Sequence, residues 1–136
     1  MAKRDEVVYI IHLDAPFGSP QTDEQREAHN LPPRIKPYTT PCQHYIGTTK
    51  DLARRVQEHR NGSGAALLRA ASAAGVGWRV VAWKEGGRDV EQTVKRQNHT
   101  RRFCPLCNPG YAGKHNGWKV VTEEQWNSLL TGGKWR

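Results

Sequence analysis

The chain lacks any long apolar run, has few cysteines and is short of acidic residues, and each deficit excludes something. The longest apolar run near the start, Val7–Ile11, is stopped by His12. That is far short of the roughly 20 residues a membrane span needs. It is also too short for a signal-peptide core, and no small-residue cleavage site follows it. Three cysteines are an odd count that fits poorly with a disulfide framework. The reading is a soluble, cytoplasmic protein. Thirteen Asp+Glu stand against twenty-one Lys+Arg in 136 residues, a formal charge of +8. This excess points to a polyanionic partner, nucleic acid before membrane, because the basic residues alternate with Trp, His and Asn and line no amphipathic helix.

At this length one domain, 1–136, is the expectation. Eight prolines and thirteen glycines suggest long loops, while five tryptophans and several dense apolar stretches argue against disorder. Residues 7–13, Val-Val-Tyr-Ile-Ile-His-Leu, are β-branched or aromatic almost throughout and predict a strand. Val7, Tyr9, Ile11 and Leu13 fall on one face, Val8, Ile10 and His12 on the other. Both faces are largely apolar, as in a central strand covered on both sides. Residues 14–41 carry five prolines and little periodicity, and read as a long surface insertion.

Residues 42–47 predict a second strand ending at Gly47, where glycine permits the turn into a helix. Thr48 is the expected N-cap, with Asp51 in the capping-box position, and the helix stops at Asn61-Gly62. An alanine-rich helix follows over about 65–74, then a strand at 78–83. Asp89 caps a helix from Val90 to about Asn98, Trp118–Val121 suggest a short strand, and Thr122 with Gln125 caps a last helix to Leu130. Trp118, Trp126 and Trp135 read as core.

Projected at about 100° per residue, Leu52 and Val56 define the buried stripe of the first helix. Arg55 and His59 are an i,i+4 pair on its margin, while Arg54 and Glu58 point away. On the 90–98 helix, Glu91 and Asn98 nearly superimpose, with Lys95 between them. An acid beside an amide on a core margin is a candidate metal ligand with a hydrogen-bonding companion.

These residues resemble the GIY-YIG nucleases. The likeness is carried by Val7-Val8-Tyr9, Tyr45-Ile46-Gly47, the run Thr48 to Arg55, His59 one turn beyond, and Glu91 on a later helix. It continues more weakly through Arg101-Arg102-Phe103-Cys104-Pro105-Leu106-Cys107. The resemblance implies an α+β fold, a small three-stranded antiparallel sheet flanked by helices, here with the 14–41 insertion between the first two strands and a basic extension over 99–136. It implies a DNA endonuclease that hydrolyses phosphodiesters with one divalent metal, Mg²⁺ or Mn²⁺, and with Glu91 as its ligand. Arg55 would stabilise charge on the phosphate. Tyr9 would act as general base or orient the attacking water; Tyr45 and His59 would position water or phosphate and assist proton transfer. Asn98 would hydrogen-bond the tyrosine or scaffold the site.

Cys104-x-x-Cys107 is half of a zinc site, and Cys42 with His44, or His115, is a candidate for the rest. Lys50, Arg54, Lys95, Arg96, Arg101 and Arg102 are the expected phosphate-tracking residues. A zinc-stabilised nucleic-acid-binding module without catalysis is the alternative function. A protein that only coats RNA ranks below both, for want of an RNA-binding motif.

Overall fold

The structure, a computed structural model, describes residues 6–17, 42–97, 103–109 and 117–136. In chain order it contains strands β1 (Val7–Phe17) and β2 (Cys42–Thr49), helices α1 (Leu52–Arg60) and α2 (Ala66–Ala73), and strand β3 (Trp78–Glu85). Helix α3 (Arg88–Gln97), strand β4 (Lys119–Val120) and helix α4 (Glu123–Thr131) complete it.

The sheet is antiparallel with order β2-β1-β3-β4. It is therefore four-stranded where the family resemblance implies three: β4, within the strand suggested at Trp118–Val121, pairs Val120 with Ala82 and Lys119 with Trp83 at the far edge. The first strand also runs on to Phe17, so Asp14 to Phe17 belong to the sheet and not to the proposed insertion. Residues 18–41 lie outside the described residues.

The two-faced pattern of β1 is realised. Val7, Tyr9, Ile11 and Leu13 are fully buried in one cluster with Leu52 and Val56 of α1, Leu68 of α2 and Leu129 of α4. Val8 and Ile10 are buried in a second cluster with Ile46, Val94 of α3, Phe103, Cys104 and Trp118. An all-apolar strand is stable here because each face is removed from water by a different set of helices and loops. Strand β3 breaks simple alternation. Ile10 pairs with Ala82 but Ile11 with Val80, so Val81 is an extra residue, and both Val81 and Ala82 pack on the second cluster.

One local expectation shifts by three residues. Thr48 does not cap α1: β2 continues through Thr49, and Asp51 is the N-cap, accepting from the Arg54 amide. Thr122 and Gln125 do form the expected capping box on α4. Helix α4 is fixed to α1 at its C-terminal end, where Gln57 Nε2 donates to the Leu129 and Leu130 carbonyls at 2.8 and 3.0 Å. Both carbonyls belong to the last turn of α4, where Gly132 N also donates to Leu129 O and Arg60 Nη1 to Leu130 O.

Candidate active site and metal-ligand cluster

Tyr9 sits at the centre of the first face, paired across the sheet with Gly47, and its side chain is fully buried. Its hydroxyl lies 2.8 Å from His59 Nε2. The other ring nitrogen of His59, Nδ1, accepts from the Ala65 backbone N–H at 3.1 Å. An amide can only donate, so Nδ1 is bare and the neutral imidazole carries its proton on Nε2. His59 thus donates to the Tyr9 oxygen. The neutral form is the stable one, because burial, aided by the Arg55 cation, pushes the His59 pKa down to about 4. Tyr45 and His59 meet edge to face at 5.7 Å, and Trp78 closes the other side of the imidazole at 6.0 Å.

Arg55 reaches this cluster from the margin of α1, half-buried with 32% of its side chain exposed. Its Nη1 donates to Glu58 Oε1 at 3.0 Å, and its cation lies near enough to the Tyr9 hydroxyl to favour the ionised form. Glu58, on the side of α1 away from the buried stripe, tethers Arg55 and also holds Arg54 Nε at 3.4 Å. Burial, and then the neighbouring Tyr45, push the Tyr9 hydroxyl well above the ordinary tyrosine range; Arg55 opposes the shift without reversing it. At neutral pH Tyr9 is a phenol.

The reason for glycine at position 47 is a close approach and not a turn. Gly47 lies within β2 and has no left-handed φ. A Cβ there would stand 2.5 Å from the Tyr9 hydroxyl oxygen and 3.0 Å from Tyr45 Cε2. Gly47→Ala should therefore displace Tyr9 and lower stability by about 1–3 kcal/mol. Urea denaturation measures it, and an unchanged midpoint would remove this account.

Glu91 has its contacts on the second face, at the end of edge strand β2. One carboxylate oxygen accepts from the Thr48 hydroxyl at 2.9 Å, and the other lies 3.5 Å from Lys95 Nζ. Only 13% of the Glu91 side chain is exposed, against 48% for Lys95. The tyrosine–histidine–arginine group packs on the first face, and Glu91 bonds to Thr48, the residue after Gly47, where β2 ends at the sheet edge. Of the expected phosphate contacts, Lys50 and Arg54 are exposed near the start of α1. The Arg96 side chain, Asn98, Arg101, Arg102 and His115 lie outside the described residues.

A separate cluster forms where β1 and β2 pair His12 with His44. One donor atom from each of His12, His44, Cys104 and Cys107 lies within 4.8 Å of the other three. Three of these were anticipated. His12 was not, and it stands where Cys42 was expected. The backbone of Cys42 pairs with Phe17 beyond a register shift, and its side chain is outside the described residues. A signal for His12 existed: partner numbers in an antiparallel pair have a constant sum, so seating Tyr9 on Gly47 dictates His12 on His44.

The sequence profile of the GIY-YIG catalytic domain matches residues 38–121, well over half of the chain. The chain belongs to the GIY-YIG family. Among curated proteins and among solved structures, no relative matches it. The matched span begins after β1, yet β1 lies beside β2 in the sheet and brings Tyr9 against the Tyr45-Ile46-Gly47 tripeptide. A long sequence separation hides from a linear comparison what strand pairing restores. Among the described residues, no helix of this GIY-YIG protein is long and apolar enough to cross a membrane.

Proposed function

We propose that this GIY-YIG protein is an endonuclease that hydrolyses DNA phosphodiester bonds with Mg²⁺ or Mn²⁺. The observation that carries the reading is the Arg55–Tyr9–His59 group packed against Gly47, inside a chain of a nuclease family. Glu91 suits a hard divalent ion. One of its oxygens is fixed by a hydroxyl donor, and the other faces an ammonium that is half-exposed and free to swing away. When bound there, the ion would polarise the phosphate and make a coordinated water more acidic.

The chain's own groups divide the remaining work. Arg55 keeps one arm on Glu58 and presents its other donors to the phosphate oxygens on which negative charge builds. His59 donates through Nε2 to Tyr9, so the Tyr9 O–H is left to orient a water, and this donor with the nearby Arg55 cation would support the oxygen if it gives up its proton. Tyr45 flanks this oxygen, and Asn98 is assigned to bracing the tyrosine. Lys50, Arg54, Lys95, Arg96, Arg101 and Arg102 would track the DNA backbone and account for much of the +8 charge.

A second reading, a zinc-stabilised nucleic-acid-binding module without catalysis, is favoured by the phenolic state of Tyr9 and by the separate His/Cys cluster. Incubating supercoiled plasmid with the protein and Mg²⁺ or Mn²⁺ separates the two. The nuclease reading expects open-circular product that EDTA abolishes. Retarded but intact plasmid under every metal condition would establish the binding module.

A further inference from the structure

We infer that His12, His44, Cys104 and Cys107 form a tetrahedral structural zinc site that ties the end of the β1–β2 pair to the segment following α3. His12 Nδ1 lies 3.4 Å from His44 Nε2, 3.4 Å from Cys104 Sγ and 3.7 Å from Cys107 Sγ. Cys107 Sγ lies 3.4 Å from His44 Nε2. Hydrogen bonding does not account for this. One imidazole nitrogen has one lone pair or one proton, and here three electronegative atoms crowd it. A cation at their common centre satisfies all of them at once.

The spacing fits the metal. Zinc bonds of about 2.0–2.1 Å to nitrogen and 2.3 Å to sulfur give tetrahedral edges of roughly 3.4 Å for N···N and 3.5 Å for N···S. The four separations above lie close to those edges. Two thiolates and two neutral imidazoles also cancel the dipositive charge, which lets the site be partly buried beside Phe103 and Trp118. The four residues close their coordination sphere without water, as structural sites do.

Binding replaces two S–H bonds by two S–Zn bonds and releases both protons to solvent, with no change in oxidation state. The site lies on the second face, with Phe103 packed in the same cluster as Val94 of α3. It therefore holds in place the end of the chain that leaves the Glu91 helix.

The test is metal content, read without DNA and so independently of the nuclease reading. Protein purified with zinc should carry one zinc per chain. His12→Ala and Cys107→Ser should lose it, while Cys42→Ser and Glu91→Ala keep it. Replacing zinc by Co²⁺ in the wild-type chain should give intense visible bands of a tetrahedral site together with thiolate-to-cobalt charge transfer. That spectrum decides the matter even if the ligand variants fail to fold. Zinc near zero in the reconstituted wild type, a weak octahedral cobalt spectrum, or zinc lost in Cys42→Ser but kept in His12→Ala would each overturn the site.

Discussion

Replacing Arg55 by alanine should slow plasmid cleavage by about 10³-fold or more, the scale set by a guanidinium that stabilises a phosphoryl transition state. DNA affinity should change little, because many phosphate contacts share the binding energy and one cation contributes a small part. Arg55→Lys should recover little of the loss. A lysine offers a point charge, whereas Arg55 holds Glu58 with one arm and would have its other donors left for the phosphate. Glu58→Gln leaves that fork without its anionic tether and should produce a smaller loss of the same kind. Glu91→Ala should match Arg55→Ala in rate, but through metal dependence: raising Mn²⁺ should help the wild type at limiting metal and leave the variant slow. Single-turnover kinetics at saturating DNA separate these effects from binding, and full activity in Arg55→Ala would sink the mechanism.

The second large effect concerns stability against pH. His59 is only 2% exposed and titrates near 4 in the folded chain, against about 6.5 when unfolded. The groups facing it are Arg55, which disfavours its charge, Glu58, which favours it, and the Tyr9 and Tyr45 rings. The unfolded state therefore binds the extra proton first as the solution is acidified. Stability that is fully present above pH 6.5 is lost as pH falls from there to about 4, by about 3 kcal/mol at the limit. His59→Gln has no such proton to take up. Urea denaturation should show the wild type ahead at pH 7, where His59 accepts from Ala65 and donates to Tyr9, with the gap closing by that amount toward pH 4. A gap that does not vary with pH would contradict the buried neutral imidazole.

What was legible in the sequence was local. Alternation along β1 identified both of its faces, because side chains on a strand follow a period of two wherever the strand lies. Helical spacing put Leu52 and Val56 inward, and burial confirms both. Thr122 and Gln125 announced a cap that depends on only four residues. Caps fail as predictions when a strand competes for the same residue. Thr48 was a good N-cap by type, but its backbone was already committed to pairing with Val8, so the helix starts after Asp51.

The family motif, the basic charge and the Cys104-x-x-Cys107 half-site were determined by the sequence alone, since each is carried by residue types at short spacing. Only the tertiary structure decided what these residues meet. Strand register placed Tyr9 over Gly47 and, three residues on, His12 beside His44. The turn into α2 brought the Ala65 amide back to His59 and so chose its tautomer. The pairing of β4 with β3, the Thr48 hydroxyl on Glu91 and the Glu58 tether on Arg55 likewise arise from packing. Pairing and packing join residues far apart in the chain, and the free energy that selects them comes from burying two faces of one sheet at once, which no local window contains.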